Sequence, residues 1–397
     1  MPKITKIRPI LLSAPYADMQ ANLEVLHHLT SGYRTCGMVE ITLDDGTTGL
    51  GEGYLAVFAP HIFEQLIYLL TPMLIGRELS DYELIYHDMQ MTTGYWSLQG
   101  AAQHAISAVE IALWDCRGKV AGVPVYKLLG NNSQRPLNLY ASGGDSLHPG
   151  AMMQEFKVIQ QLGIETFKIR ARKEDINKAR WCLEYGATKG IRIAIDMTQN
   201  LAIPSQSVDD VIQFSQEIGM NKQITFIEEA LGPDVVDRFP EIRSKTDIPI
   251  AGGEIITTYR EMEHRINDGY YDIAQPDATV IGGIQPTFDL FKLVRNANCA
   301  IYVHCWGGPV GMMANYHAAI AGGGDVVELP LPRFPLRNLM ADWQIEDGNL
   351  HLDNTPGLGV HLTPQIEQEF AFRSNAVYSC LVQTNKKLPD SVWLDAI

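Results

Sequence analysis

Ile191-Arg192-Ile193-Ala194-Ile195-Asp196, Ile224-Thr225-Phe226-Ile227-Glu228-Glu229 and Ile248-Pro249-Ile250-Ala251-Gly252-Gly253-Glu254 are three apolar runs, and each ends on a carboxylate. The acids are separated by about 32 and 26 residues, which is what one strand, one helix and two loops consume. If the runs are neighbouring parallel strands, Asp196, Glu228 and Glu254 emerge together at one carboxyl-terminal rim. Three carboxylates held close repel unless a cation sits between them. A hard divalent ion bound by oxygens, Mg²⁺, one per subunit, is the simplest resolution. Taken singly, each acid reads as a surface group at a strand end facing solvent; their common register argues for the shared ion.

The same rhythm extends outward. Short apolar runs at Leu137–Ala141, Thr166–Ala171, Tyr271–Gln275, Ala300–His304 and Val326–Leu329 complete a set of eight, with helical segments such as Ile176–Ala187, Val208–Ile218 and Phe288–Ala297 between them. Eight strands alternating with helices fit a closed parallel barrel better than an open sheet. Residues 1–128 have another texture. Ile4–Ser13, Gly37–Leu43 and Thr48–Gly53 read as antiparallel strands, the last two joined at Asp44-Asp45-Gly46, and His61–Leu74 and Leu98–Val120 carry helical apolar spacing. Tyr16 to Tyr33 reads as a loop and Asn131–Arg135 as a linker. The expectation is an α/β chain: a TIM-like (β/α)7-8 barrel over 129–355, an N-terminal α+β capping domain over 1–128, and a C-terminal tail, 356–397, that wraps back onto the cap.

A length of 397 residues exceeds what one core usually fills, in line with two units. The net charge of −15 supplies no basic footprint for nucleic acid or an anionic membrane. Six scattered cysteines, with no zinc spacing, and a polar start without an apolar signal core suggest a reduced, cytoplasmic protein. No run approaches membrane-spanning length. Neither a G-x-G-x-x-G order nor a P-loop lysine is present.

In a parallel barrel the chemistry gathers at the carboxyl ends of the strands. Those ends carry Lys168 and Arg170, then Asp196, Glu228, Glu254, Asp277, His304 and Glu328. Lys168 and Arg170 alternate with Ile169, so both point to one side. There they need acids, as structural ion pairs, or an anionic ligand. His304 alone would read as a hydrogen-bonded core residue, but Asp277, ending the preceding strand, can fix its tautomer and raise its basicity as a proton-transfer dyad. Glu328 sits in an apolar run. It is expected either protonated, as a donor to a developing oxyanion, or satisfied by backbone donors.

This ordered set resembles the enolase superfamily and, within it, the mandelate racemase-like subgroup. The features that match are the cap, the Leu113-Trp114-Asp115 helix, Lys168-Ile169-Arg170, the three acids, Gln275-Pro276-Asp277, Gly282-Gly283, His304 and Glu328. The resemblance implies Mg²⁺ on Asp196, Glu228 and Glu254 chelating a small-molecule carboxylate substrate. It implies a base removing the proton α to that carboxylate to give an enediolate. Loops of the cap, here Tyr16–Tyr33 and Gly51–Pro60, would cover the substrate and choose it, and relatives of this kind commonly form homo-oligomers. Tyr33, Arg34 and Tyr54 are the candidate contacts in those loops, with surface or cap packing as their other reading.

Two departures shape the expectation. Relatives often place a second lysine where Arg170 stands, and a guanidinium is a poor base but a good anion clamp. With His304 as the obvious base, one-face abstraction followed by β-elimination of water is favoured, the dehydration of a sugar acid to a 2-keto-3-deoxy acid. The second departure is Asp196-Met197-Thr198-Gln199-Asn200, where relatives show Asp-x-Asn; Thr198 or Asn200 takes that polar role. A cycloisomerase or epimerase using the same enediolate, and a non-catalytic carboxylate-binding relative, are the alternatives.

Overall fold

The computed structural model describes all residues except 18–27, 132–135, 147, 202–204, 220, 325, 380–392 and 394–397. Most of the expected loop between Tyr16 and Tyr33, most of the expected linker, and the end of the tail with Cys380 lie outside the described residues.

Strands β1 (Ile4–Pro15), β2 (Tyr33–Leu43) and β3 (Thr48–Glu52) form an antiparallel sheet in the order β1-β2-β3. The turn between β2 and β3 is tied by Thr47 N–H on the Asp45 carboxylate at 2.9 Å, and Gly46 supplies the positive φ of +87° that the turn requires. The helix Ala101–Ala121 lies directly on β3. Gly51 permits this approach, since a Cβ there would stand 1.7 Å from the carbonyl oxygen of Ala108. A second helix, Tyr82–Ser97, was not legible in the sequence, because only Ile85, Met89 and Thr93 are buried, a stripe one residue wide per turn.

Eight parallel strands follow: β4 (Leu137–Ser142), β5 (Thr166–Arg170), β6 (Arg192–Asp196), β7 (Ile224–Glu228), β8 (Ile250–Gly252), β9 (Ile273–Ala274), β10 (Ala300–Val303) and β11 (Val326–Pro330). They pair in sequence order, and β11 closes on β4, with Val326 opposite Asn138 and Pro330 opposite Ser142. An antiparallel hairpin, β12 (Gln344–Glu346) and β13 (Asn349–His351), is added beside β4. Tyr140, Ala194, Phe226, Ala251 and Ile273 fill the barrel interior as one apolar cluster, so the barrel is packed rather than hollow. The larger core lies between the strands and the surrounding helices.

Acids of the cap bind N–H groups that open barrel helices. Glu52 accepts from Gly308 at 2.5 Å and Gly311 at 2.8 Å at the start of the helix Pro309–Gly322. Glu110 accepts from Ile284 at 2.7 Å and Gln285 at 3.0 Å at the start of the helix Ile284–Asn296. Carboxylates at helix N-termini are favoured by the orphan N–H groups and the helix dipole. The chain then returns to the cap: Arg8 pairs with both oxygens of Glu367, Ser13 N–H donates to Phe370 O, and Tyr378 N–H to Val57 O. Among the described residues no helix is long and apolar enough to cross a membrane, and Cys36, Cys116, Cys182, Cys299 and Cys305 are free thiols.

Candidate active site

The parallel register of the barrel decides which side chains meet. Arg170 lies opposite Asp196, and Asp196 opposite Glu228, at the last positions of β5, β6 and β7. Lys168, two residues before the end of β5, points to the same side as Arg170. Glu254, Asp277 and His304 follow directly after β8, β9 and β10. Lys168, Asp196, Glu254 and His304, together with Arg34 and Tyr54 of the cap, border a cavity of about 350 Å³ at the carboxyl ends of the strands.

His304 is the most closely determined of these groups. Its Nδ1 lies 2.8 Å from Asp277 Oδ2, and its Nε2 lies 3.1 Å from Glu254 Oε2 and 3.8 Å from Glu328 Oε2. Burial pulls the ring's pKa down, but Glu254, Glu328 and Asp277 outweigh it and raise it to about 10. The Nε2 edge is the one that faces other groups across the cavity.

Lys168 Nζ donates to Glu228 Oε1 and lies 2.9 Å from Glu328 Oε1. Burial acts against its charge, yet Glu228 and Glu328 hold it well above the ordinary lysine range, so it is a protonated donor. Glu328 in turn is pushed down to about 2 by Lys168 and His304 in spite of its burial, and it accepts Cys305 N–H at 2.8 Å. Of the two sequence expectations for Glu328, the protonated donor is therefore corrected. A cation on either side keeps the carboxyl ionised, as an acceptor.

Arg170 also differs from expectation. Its Nη1 is bonded to Asp145, its Nε lies 3.6 Å from Asp196 Oδ2, and its guanidinium stacks over Trp306 at 4.5 Å. A guanidinium already paired is not a free anion clamp. Asp145 was missed in the sequence because Gly143-Gly144 separate it from the apolar run of β4; it is nonetheless an acid just beyond a strand tip, the signal used for the others. Glu229 was passed over in favour of Glu228, although it is buried, has φ of +47° and accepts Gly253 N–H at 3.2 Å. His104, on the cap helix, borders the cavity, and burial lowers its pKa to about 4.

The two polar candidates after β6 divide the work. Asn200 Nδ2 donates to Glu254 Oε1 at 2.7 Å, while Thr198 N–H caps Asp196 Oδ1 at 2.7 Å and Thr198 Oγ1 accepts from Arg172 at 2.8 Å. Of the cap candidates, Arg34 and Tyr54 border the cavity. Tyr33 does not: strand alternation turns it to the other face, where Arg373 stacks on it at 3.9 Å.

Asp196, Glu228 and Glu254 are the acids suited to a divalent cation. Among the described residues no three His, Cys, Asp or Glu side chains are arranged around a metal position. Instead Glu228 is turned to Lys168 and Gln275, and Glu254 to Asn200 and His304. The donor chemistry nonetheless fits a hard ion. All three are carboxylates at successive strand tips, and Glu254 raises the pKa of both others. Burial and its neighbours hold Glu228 at about 8 against the pull of Lys168. Mutual repulsion of this kind is what a bound cation relieves.

Residues 151–366 match the family model described as enolase C-terminal domain-like, and residues 22–130 match that of the mandelate racemase / muconate lactonizing enzyme N-terminal domain. The chain is 25% identical over 349 residues to the arabinonate dehydratase of Saccharolobus solfataricus, covering 84% of this chain and 90% of that one. It is 24% identical over 351 residues to the D-galactonate dehydratase of Pectobacterium atrosepticum, covering 83% and 89%. Among solved structures, the 3,6-anhydro-D-galactonate cycloisomerase from Zobellia galactanivorans superposes with a TM-score of 0.81 at 27% identity, over 93% of this chain and 99% of that one.

Proposed function

Since the chain belongs to the enolase superfamily, with an N-terminal domain of the mandelate racemase / muconate lactonizing enzyme kind, we propose that it dehydrates an acid sugar to a 2-keto-3-deoxy acid. The observation that carries this reading is His304: Asp277 takes its Nδ1 and leaves Nε2 toward the cavity, beside the acids suited to a cation. The dehydratases of Saccharolobus solfataricus and Pectobacterium atrosepticum support the choice of substrate class.

Glu254, the neighbour that does most to hold His304 protonated, would turn to the cation instead. The neutral ring's Nε2 then takes the proton from the carbon α to the substrate carboxylate, and the C–H electron pair moves into that carboxylate as an enediolate. Asp277 keeps the Nδ1–H tautomer and stabilises the imidazolium that forms. Lys168, held protonated, faces the developing negative charge as a preorganised donor. The β-carbon–oxygen bond then breaks, the imidazolium returns its proton to the departing hydroxyl, and the enol becomes the ketone. Mg²⁺, held by Asp196, Glu228 and Glu254, supplies concentrated positive charge for the substrate carboxylate. Arg170, occupied by Asp145, orders the rim rather than accepting a proton.

The similarity to the cycloisomerase supports a second reading. In a 3,6-anhydro acid the β-oxygen belongs to a ring, so the same elimination opens the ring and expels nothing. Incubation with aldonic, aldaric and anhydro acids in the presence of Mg²⁺, followed by mass analysis, separates the two. A 2-keto-3-deoxy product lighter by one water supports dehydration, an isomeric product supports ring opening, and α-deuterium uptake without either overturns both.

A further inference from the structure

Arg34 is a cation whose charge the described protein leaves unanswered. It is only 2% exposed, yet its Nη1 and Nη2 have no hydrogen-bond partner. Its strand neighbour across the sheet is Ala14, which offers no charge. Glu52 acts on it through space but gives its two oxygens to the N–H groups of Gly308 and Gly311. Aromatic rings surround the guanidinium, with its Cζ 5.0 Å from the ring centre of Tyr16 and 5.7 Å from those of Tyr54 and Phe334. Rings interact with the π-faces of a guanidinium and leave its in-plane N–H edges unused. A buried charge with free donors is costly unless a partner arrives.

Arg34 borders the active-site cavity together with Lys168 and His304, and its two unpaired Nη groups are buried beside it. Tyr54 neighbours both Arg34 and His304, its ring 6.2 Å from that of His304 and its centre 5.7 Å from Arg34 Cζ. His304 and Arg34 border one cavity with Tyr54 in contact with both, so a substrate reacting at His304 can extend past Tyr54 toward Arg34.

Resting on the acid-sugar reading above, we propose that Arg34 binds a second carboxylate at the far end of the substrate, so that the chain prefers aldaric acids to aldonic acids. A carboxylate presents two coplanar oxygens to the two free N–H groups of the fork. One guanidinium beside Glu52 matches one negative charge better than the two of a phosphate. The aromatic walls exclude water and strengthen the pair.

The test compares an aldarate with the aldonate and the terminally phosphorylated aldonate of the same configuration. Binding to the full chain with Mg²⁺ is read by thermal shift and calorimetry, and 2-keto-3-deoxy product is read separately. The wild-type protein is expected to bind the aldarate at least about 10-fold more tightly than the aldonate, and Arg34→Met to bring that ratio toward one. Arg34→Lys, which keeps the charge without the fork, is expected to keep part of the preference, and it serves as the variant if Arg34→Met fails to fold. Equal binding of aldarate and aldonate by the wild type, a preference unchanged in Arg34→Met, or tighter binding of the phosphorylated acid overturns the proposal. An aldarate bound through Arg34 but not dehydrated sinks the reaction reading and leaves this one standing. Dehydration with an unaltered ratio in the variant does the reverse.

Discussion

His304 Nδ1 and Asp277 Oδ2 stand 2.8 Å apart, and three further donors gather on the other oxygen of that carboxylate. Thr279 N–H, Thr279 Oγ1 and Asn315 Nδ2 reach Oδ1 at 2.8, 2.7 and 2.9 Å. One oxygen is thereby fixed by the protein and the other is kept for the imidazole. Asp277→Asn removes the charge but preserves the shape. We expect kcat to fall by about 10²- to 10⁴-fold, with α-proton exchange falling in parallel and the folded structure intact by circular dichroism. A variant that exchanges the α-proton at the wild-type rate would show that the dyad has no part in proton transfer.

Lys168 supplies the second prediction. It is wedged between Glu228 and Glu328, both fully buried. Lys168→Met leaves these acids facing each other without their cation, and breaking a buried pair from one side costs about 3–5 kcal/mol. In denaturant melts without added metal, the midpoint should drop accordingly, and added Mg²⁺ should recover more stability in the variant than in the wild type. Coincident melting curves would exclude the pairing as a source of stability.

The barrel was legible because its strands are apolar runs, most with a charged residue or histidine at the tip, and the spacing leaves room for one helix between each pair. The amphipathic run Val208–Ile218 coincides with the helix, which Ser207 caps and Gly219 ends, whereas Phe288–Ala297 caught only the later part of the helix Ile284–Asn296. What the sequence hid was pairing across distance. Nothing local says that Asp145 neutralises Arg170, that Glu328 is kept ionised from two sides, or that Glu110 and Glu52 bind helix starts in the barrel. The helix Tyr82–Ser97 escaped for a different reason: Leu84, Met91, Tyr95 and Trp96 are exposed, so its apolar residues do not mark one face.

The cation expected at Asp196, Glu228 and Glu254 gives the third prediction. Dialysis against a chelator should abolish turnover, and Mg²⁺ should restore it. Binding to the folded state alone stabilises by about 2.7 kcal/mol at a hundredfold excess over Kd, so the melting temperature should climb with Mg²⁺ concentration. Glu228→Gln should weaken this climb and lower kcat by about 10²-fold or more. Undiminished activity after exhaustive chelation would remove the metal from the account.

His317, outside the cavity, yields a prediction about acid. Tyr126 N–H donates to its Nδ1 at 3.2 Å, and its Nε2 lies 3.3 Å from the carbonyl oxygen of Leu358. The neutral tautomer with the proton on Nε2 satisfies both contacts, whereas a protonated ring would set a second N–H against that of Tyr126. Burial, outweighing the Leu358 carbonyl, lowers the pKa from 6.5 to about 4. Between those values the unfolded chain binds a proton that the folded one refuses. The contribution is therefore present above pH 6.5 and is lost as the pH falls toward 4, by at most about 3 kcal/mol. His317→Gln should be less stable than the wild type at neutral pH, having lost the stacking on Tyr126, but should show a shallower decline between pH 6.5 and 4. The decline should not vanish, since His104 is lowered to about 4 by the same burial. Denaturation midpoints across this range measure the slope, and parallel curves for variant and wild type would rule out a neutral, buried His317 as a source of acid sensitivity.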